Sequence, residues 1–153
     1  MRKLPAIPGV LLLLLGATAC GRDEPGAGDA LCSPSYAPGE LVVDGPQYPA
    51  LPSGLPSAPG RTPAETRTTD AAAIGKVAAA ACGLPTPPSD VACTLELGPS
   101  YELRFRDAQG RTTTLTAEGY GCQFVEGLGS RRFDAKPLWE ALLAAGLPAP
   151  PPR

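Results

Sequence analysis

The stretch YELRFRDAQGRTTTLTA, residues 101–117, decides the fold. Between residues 101 and 106 apolar and charged side chains alternate without a break. That period of two describes a strand with one buried and one wetted face. Asp107-Ala108-Gln109-Gly110 follows as a turn, with Gly110 suited to the left-handed position after a type I turn. Residues 111–117, RTTTLTA, then return as a threonine-rich strand. The unit is a β-hairpin. Its expected wet face carries Glu102, Arg104 and Arg106 beside Thr112, Thr114 and Thr116.

Working outward, GYGCQFV (119–125) reads as a third strand with Tyr120, Cys122 and Phe124 inward. CTLEL (93–97) reads as a further strand ahead of the Gly98-Pro99 turn. Upstream, TTDAAAIGKVAAAACGLP predicts a helix. Thr69 or Asp70 caps it, Ile74, Val77, Ala78 and Ala81 share one face, and Gly83 and Pro85 stop it. Downstream, AKPLWEALLAAG predicts a second helix, starting at Asp134 or Lys136 with Pro137 in its first turn. Its apolar stripe is Leu138, Trp139, Leu142 and Leu143, and Gly146 closes it. The expected class is therefore α+β: a small antiparallel meander of three or four strands with one helix before and one after. Its core draws on Tyr101, Leu103, Phe105, Leu115, Phe124, Leu138, Trp139 and Leu142.

At the other end of the chain, Arg2 and Lys3 precede the apolar run GVLLLLLG (9–16) and the small residues of Ala17-Thr18-Ala19. This is the order of an export signal, and the run is too short to span a bilayer. The junction Gly16-Ala17-Thr18-Ala19-Cys20 resembles the lipobox of bacterial lipoproteins, although Ala17 stands where leucine is usual. The resemblance covers the N-terminal stretch alone. It implies cleavage before Cys20, a diacylglyceryl thioether on its sulfur, and a lipid-anchored protein on the extracytoplasmic face of the cell membrane. The order Tyr101-x-Leu103-x-Phe105-x-Asp107-x-x-Gly110-Arg111, followed by Tyr120-Gly121-Cys122, also resembles small exported proteins of high-GC actinobacteria. That second resemblance implies a fold and no activity.

Setting Cys20 aside as the lipid site leaves Cys32, Cys82, Cys93 and Cys122. Four thiols in an exported chain imply two disulfides, with three possible connectivities. We expect Cys32–Cys82 and Cys93–Cys122, each stabilising the fold by about 3–4 kcal/mol in the chain-entropy model. The layout is then a signal peptide (1–19), a lipidated tether and Pro/Gly-rich linker with room for a short strand at 41–43 (20–67), an α+β domain (68–147) and a disordered tail (148–153). The linker's proline-rich stretch, 45–63, cannot hold a helix and reads as an extended spacer.

Function is bounded mainly by exclusion. The 153-residue chain has no histidine, a net charge of −2 and three lysines. The commonest general base and metal ligand are therefore missing, and nothing electrostatic favours nucleic acid. No C-x-x-C, G-x-S-x-G, S-x-x-K or phosphate-loop pattern occurs, so no catalytic residue, metal site or cofactor is expected. Arg104 and Arg106 on the wet face, with Arg131 and Arg132 just beyond, form a possible partner surface for carboxylates or phosphates. The expected role is a non-catalytic binding module of the cell envelope, with an unknown envelope protein or ligand as partner. The alternative is a small secreted, disulfide-stabilised hydrolase inhibitor whose exposed loop would be 83–91.

Overall fold

The computed structural model describes residues 30–49 and 64–151. The leader, Cys20, most of the tether and most of the proline-rich linker lie outside the described residues. The fold is α+β with two disulfides. It contains β1 (Pro38–Gln47), β2 (Ala64–Thr68), α1 (Ala71–Cys82), β3 (Ser100–Asp107), β4 (Thr112–Glu118), β5 (Val125–Glu126) and α2 (Lys136–Ala144). The strands form one antiparallel sheet in the order β2-β1-β3-β4-β5.

The hairpin of β3 and β4 follows its alternation. Leu103 faces Leu115 and Tyr101 faces Ala117 on the buried side, while Glu102, Arg104 and Arg106 pair with Thr116, Thr114 and Thr112 on the other. Gly110 closes the turn at φ +80° and donates its N–H to the Asp107 carbonyl at 3.0 Å.

Asp107 holds this turn from below. One carboxylate oxygen accepts from the backbone N–H groups of Gln109 and Arg111, each at 2.9 Å, and the other from Arg111 Nε at 2.6 Å. Burial alone would raise the pKa of this carboxyl. The hydrogen bonds and charge of Arg111, with the Gln109 N–H, outweigh it and hold the pKa below the usual carboxylate value. A carboxyl depressed in the fold contributes stability above its unfolded pKa and loses it as pH falls through the folded one. Asp107→Asn should therefore lower the unfolding temperature at neutral pH, and the gap to the parent should close below about pH 4. Thermal unfolding followed across that range checks it.

Both helices cover one face of the sheet. Asp70 caps α1, its carboxylate accepting from the N–H of Ala72 at 2.9 Å and of Ala73 at 3.3 Å. Ile74, Val77 and Ala81 are buried beneath it. Pro137 lies in the first turn of α2, which buries Leu138, Trp139 and Leu142. That helix ends in a Schellman arrangement. Gly146 takes φ +69°, its N–H bonds to the Leu143 carbonyl, and the N–H of Leu147 reaches Leu142. With Leu41, Val43, Leu103, Phe105 and Leu115 these side chains make the core. Each fully buried side chain contributes about 1.5–3 kcal/mol. Cys32 is bonded to Cys82 at the end of α1, and Cys93 to Cys122.

The structure corrects several expectations. The expected short strand at 41–43 is ten residues long and lies between β2 and β3. Residues 64–68, all but Thr68 expected in the linker, form the edge strand β2. Its AETRT sequence has no apolar alternation because an edge strand needs none. The sheet thus begins before residue 68, and α1 lies between strands rather than ahead of them. Of the expected strand at 119–125, pairing takes in Val125 alone, continuing to Glu126. Gly121 and Gln123 adopt positive φ, which breaks the pleat and leaves Tyr120, Cys122 and Phe124 half-buried. Residues 93–97 form no strand, and Leu143 is half-exposed. In the expected disordered tail Pro150 is buried, in van der Waals range of the place a side chain at Gly119 would occupy.

Candidate functional site

The wet face of the sheet is a closed ion network. Arg104 reaches Asp44 at 2.8 Å and Glu65 and Glu102 at 2.9 Å each, so three strands converge on one guanidinium. Burial opposes its charge, but Asp44, then Glu102 and Glu65, outweigh this and raise its pKa further. Arg106 pairs with Glu40 at 3.2 Å, and Arg67 pairs with Glu40 and Glu65. Arg131 pairs with Glu126 and lies 4.8 Å over the Phe124 ring. Arg132 donates to the Leu84 carbonyl at 3.3 Å. All four arginines of the expected partner surface thus have internal partners. The pattern of alternating charges was legible in the sequence, whereas the acids of β1 and β2 that neutralise it were not.

The segment between α1 and β3 behaves differently. Its first part is held down: Leu84 is buried, and the Pro85 carbonyl accepts from the Phe133 N–H at 3.1 Å. The exposed remainder of 83–91 is Thr, Pro, Ser and Asp, with no large apolar side chain. Beyond Ala92 this changes. Leu95 is 103% exposed and Leu97 79%, and Thr94 and Glu96 between and beside them are exposed too.

Both ends of this loop are fixed to the turn at 119–122. Cys93 is bonded to Cys122. The carbonyl of Thr94 lies 3.3 Å from where a Cβ on Gly121 would sit. A Cβ on Gly98 would approach Tyr120 to 2.8 Å, so that contact requires glycine. The Pro99 carbonyl accepts from the Gly119 N–H at 2.9 Å. A short apolar loop is thus projected into solvent from a braced base. Sequence periodicity missed it because an exposed loop can carry the same alternation as a half-buried strand. The distinguishing signal is a cysteine at one end, Gly-Pro at the other, and no partner strand for the leucines.

Beside the base of the loop lies a groove of about 500 Å³. Val91, Ala92, the 121–123 turn, Phe133, Asp134, α2 and Pro150–Pro151 line it. Trp139 forms part of the lining. It is 5% exposed, with its ring 5.4 Å from that of Tyr101, and its indole N–H is buried without an acceptor among the described residues. No family model matches the chain, and no curated protein or solved structure is significantly similar to it.

Proposed function

We propose that this protein is an extracytoplasmic inhibitor of an endopeptidase, held at the membrane through a lipid on Cys20. The observation that carries this reading is the loop at 92–98. It presents Leu95 fully to solvent two residues after a disulfide. Endopeptidase clefts bind extended backbone as an added strand and read one side chain in a primary pocket. A loop braced at its base beforehand loses less freedom on binding, which is what tight inhibition needs. Leucine at the apex suits a target with an apolar primary pocket.

The broader reading, a non-catalytic binding module of the envelope, is contained in this one. Two disulfides suit an oxidising compartment. The lipid anchor rests on the N-terminal sequence. An intact mass from native membranes should match residues 20–153 plus acyl chains, and a lipid-free mass would remove the anchor. For the inhibitor itself, the oxidised protein is titrated into subtilisin-type and chymotrypsin-type enzymes. Stoichiometric loss of activity in at least one is expected. Steady cleavage of the protein, or full activity of both in its molar excess, would overturn the reading.

A further inference from the structure

We infer that Tyr120 is the positioning residue of the exposed loop, its ring deciding whether the loop inhibits an endopeptidase or is cut by it. This role rests on the inhibitor reading and adds to it the side chain on which inhibition turns.

The two halves of the loop are held by different means. With Leu95 in the primary pocket, the bond presented for cleavage is Leu95–Glu96. Leu95 lies two residues after Cys93, and Glu96 two residues before Gly98. Ahead of that bond the hold is the covalent Cys93–Cys122 link. No cysteine lies between Glu96 and β3, so behind the bond the hold is noncovalent.

Both halves rest on Gly119-Tyr120-Gly121. The two glycines let the loop backbone come close. A Cβ on Gly119 would lie 3.1 Å from the Pro99 carbonyl oxygen, and one on Gly121 3.3 Å from that of Thr94. Tyr120 is the one side chain of the three. Its Cβ, Cγ and Cδ1 lie 2.8–3.0 Å from where a Cβ on Gly98 would sit, so the tyrosine packs directly on the Gly98 backbone. The turn that carries it is itself pinned. The Tyr120 carbonyl accepts from the Gln123 N–H at 2.8 Å, and the Cys122 carbonyl from the Asp134 N–H at 3.1 Å. The half-buried ring is therefore a fixed wall against which the loop returns to β3.

With that wall in place, Glu96 and Leu97 run between a covalent link and a packed contact. Without it they regain backbone freedom, and each residue that must be ordered again on binding costs about tenfold in affinity. A looser loop also follows the enzyme into its reacting geometry, as an ordinary substrate does. The contact with Gly98 is made by Cβ and the near edge of the ring, so the hydroxyl is dispensable.

The oxidised parent, Tyr120→Ala, Tyr120→Phe and Gly98→Ala are each incubated with a subtilisin-type enzyme, well below their unfolding temperatures. Inhibition constants are measured beside the rate of cleavage at Leu95–Glu96, read from masses after reduction. Tyr120→Ala should inhibit about tenfold more weakly or worse, and be cut at that bond about tenfold faster or more. Tyr120→Phe should match the parent in both. Gly98→Ala should behave as Tyr120→Ala does, because its methyl group displaces the ring. Ile74→Val, which loosens the core under α1, should change neither reading.

A Tyr120→Ala variant that inhibits and resists cleavage as the parent does overturns the positioning role and leaves the inhibitor reading intact. So does a Tyr120→Phe variant as impaired as Tyr120→Ala, or an Ile74→Val variant cut as fast. Should Tyr120→Ala fail to fold, Gly98→Ala decides, and inhibition at the parent's level overturns the role. A parent that inhibits no enzyme removes the inhibitor reading instead. Tyr120 then remains the positioning residue if Tyr120→Ala is cut faster than the parent, and loses that role if the rates are equal.

Discussion

Replacing Leu95 by aspartate should abolish the proposed inhibition and leave the unfolding temperature where it was. In the proposed complex Leu95 would enter an apolar pocket, a burial worth about 1.5–3 kcal/mol. A carboxylate there loses that term and is also desolvated without a partner. Together the loss reaches about 4 kcal/mol or more, a weakening of roughly a thousandfold. In the free protein the side chain touches nothing that would miss it, since it is fully exposed. Surface changes of this kind stay within about 0.5 kcal/mol of the parent. Inhibition constants beside thermal unfolding check both halves. Leu95→Lys sharpens the test, because it should weaken action on an enzyme with an apolar pocket and favour one with an acidic pocket. If Leu95→Asp inhibits as well as the parent, the loop is not the binding element.

Removing the disulfides one at a time separates the scaffold from the loop. The Cys32–Cys82 bond closes 50 residues and the Cys93–Cys122 bond 29. In the chain-entropy model they contribute about 4 and about 3.5 kcal/mol respectively. A domain of this size has about 5–15 kcal/mol in total, so either loss is large. The two double-serine variants should then lose similar stability but differ in function. Without Cys32–Cys82, inhibition persists wherever the protein is folded, because that bond ties the segment before β1 to α1. Without Cys93–Cys122, inhibition falls steeply even in the folded protein, because the loop has lost the brace at its base. Denaturant unfolding together with inhibition constants, measured well below each variant's unfolding temperature, makes the comparison. Equal inhibition by the two variants would mean that the disulfide does not preorganise the loop.

What could be read from the sequence was whatever has a local cause. Period-two alternation in 101–106, a left-handed glycine at 110, an aspartate before an alanine-rich run and a glycine–proline stop after α2 each act within a few residues. They place the hairpin and both helices. Elements defined by distant partners were harder to see. β2 is a strand because β1 lies beside it, and nothing in AETRT asks for one. Gln123 bends the chain in a conformation that glutamine does not announce. The same limit governs the sites. The arginines were visible, but Glu40, Asp44 and Glu65, which occupy Arg106 and Arg104, come from strands far away in sequence. The groove was invisible, since Trp139 and Leu143 read simply as a helix stripe.

The order of the strands also bears on how the chain reaches this structure. β3 and β4 are joined by a tight turn and can pair as soon as both are made. β1 cannot. Val43 lies against Leu103, about sixty residues further along the chain, and contacts that distant are slow to form. Synthesis runs from the N-terminus, so the apolar run of Leu41, Val42 and Val43 appears first and finds its central partner late. Until then the neighbours within reach are the short polar strand β2 and helix α1, and the central partner strand is missing. The interval between making β1 and making β3 is therefore when this protein is most exposed to aggregation, and a holdase that protects it would have its natural target at residues 41–43.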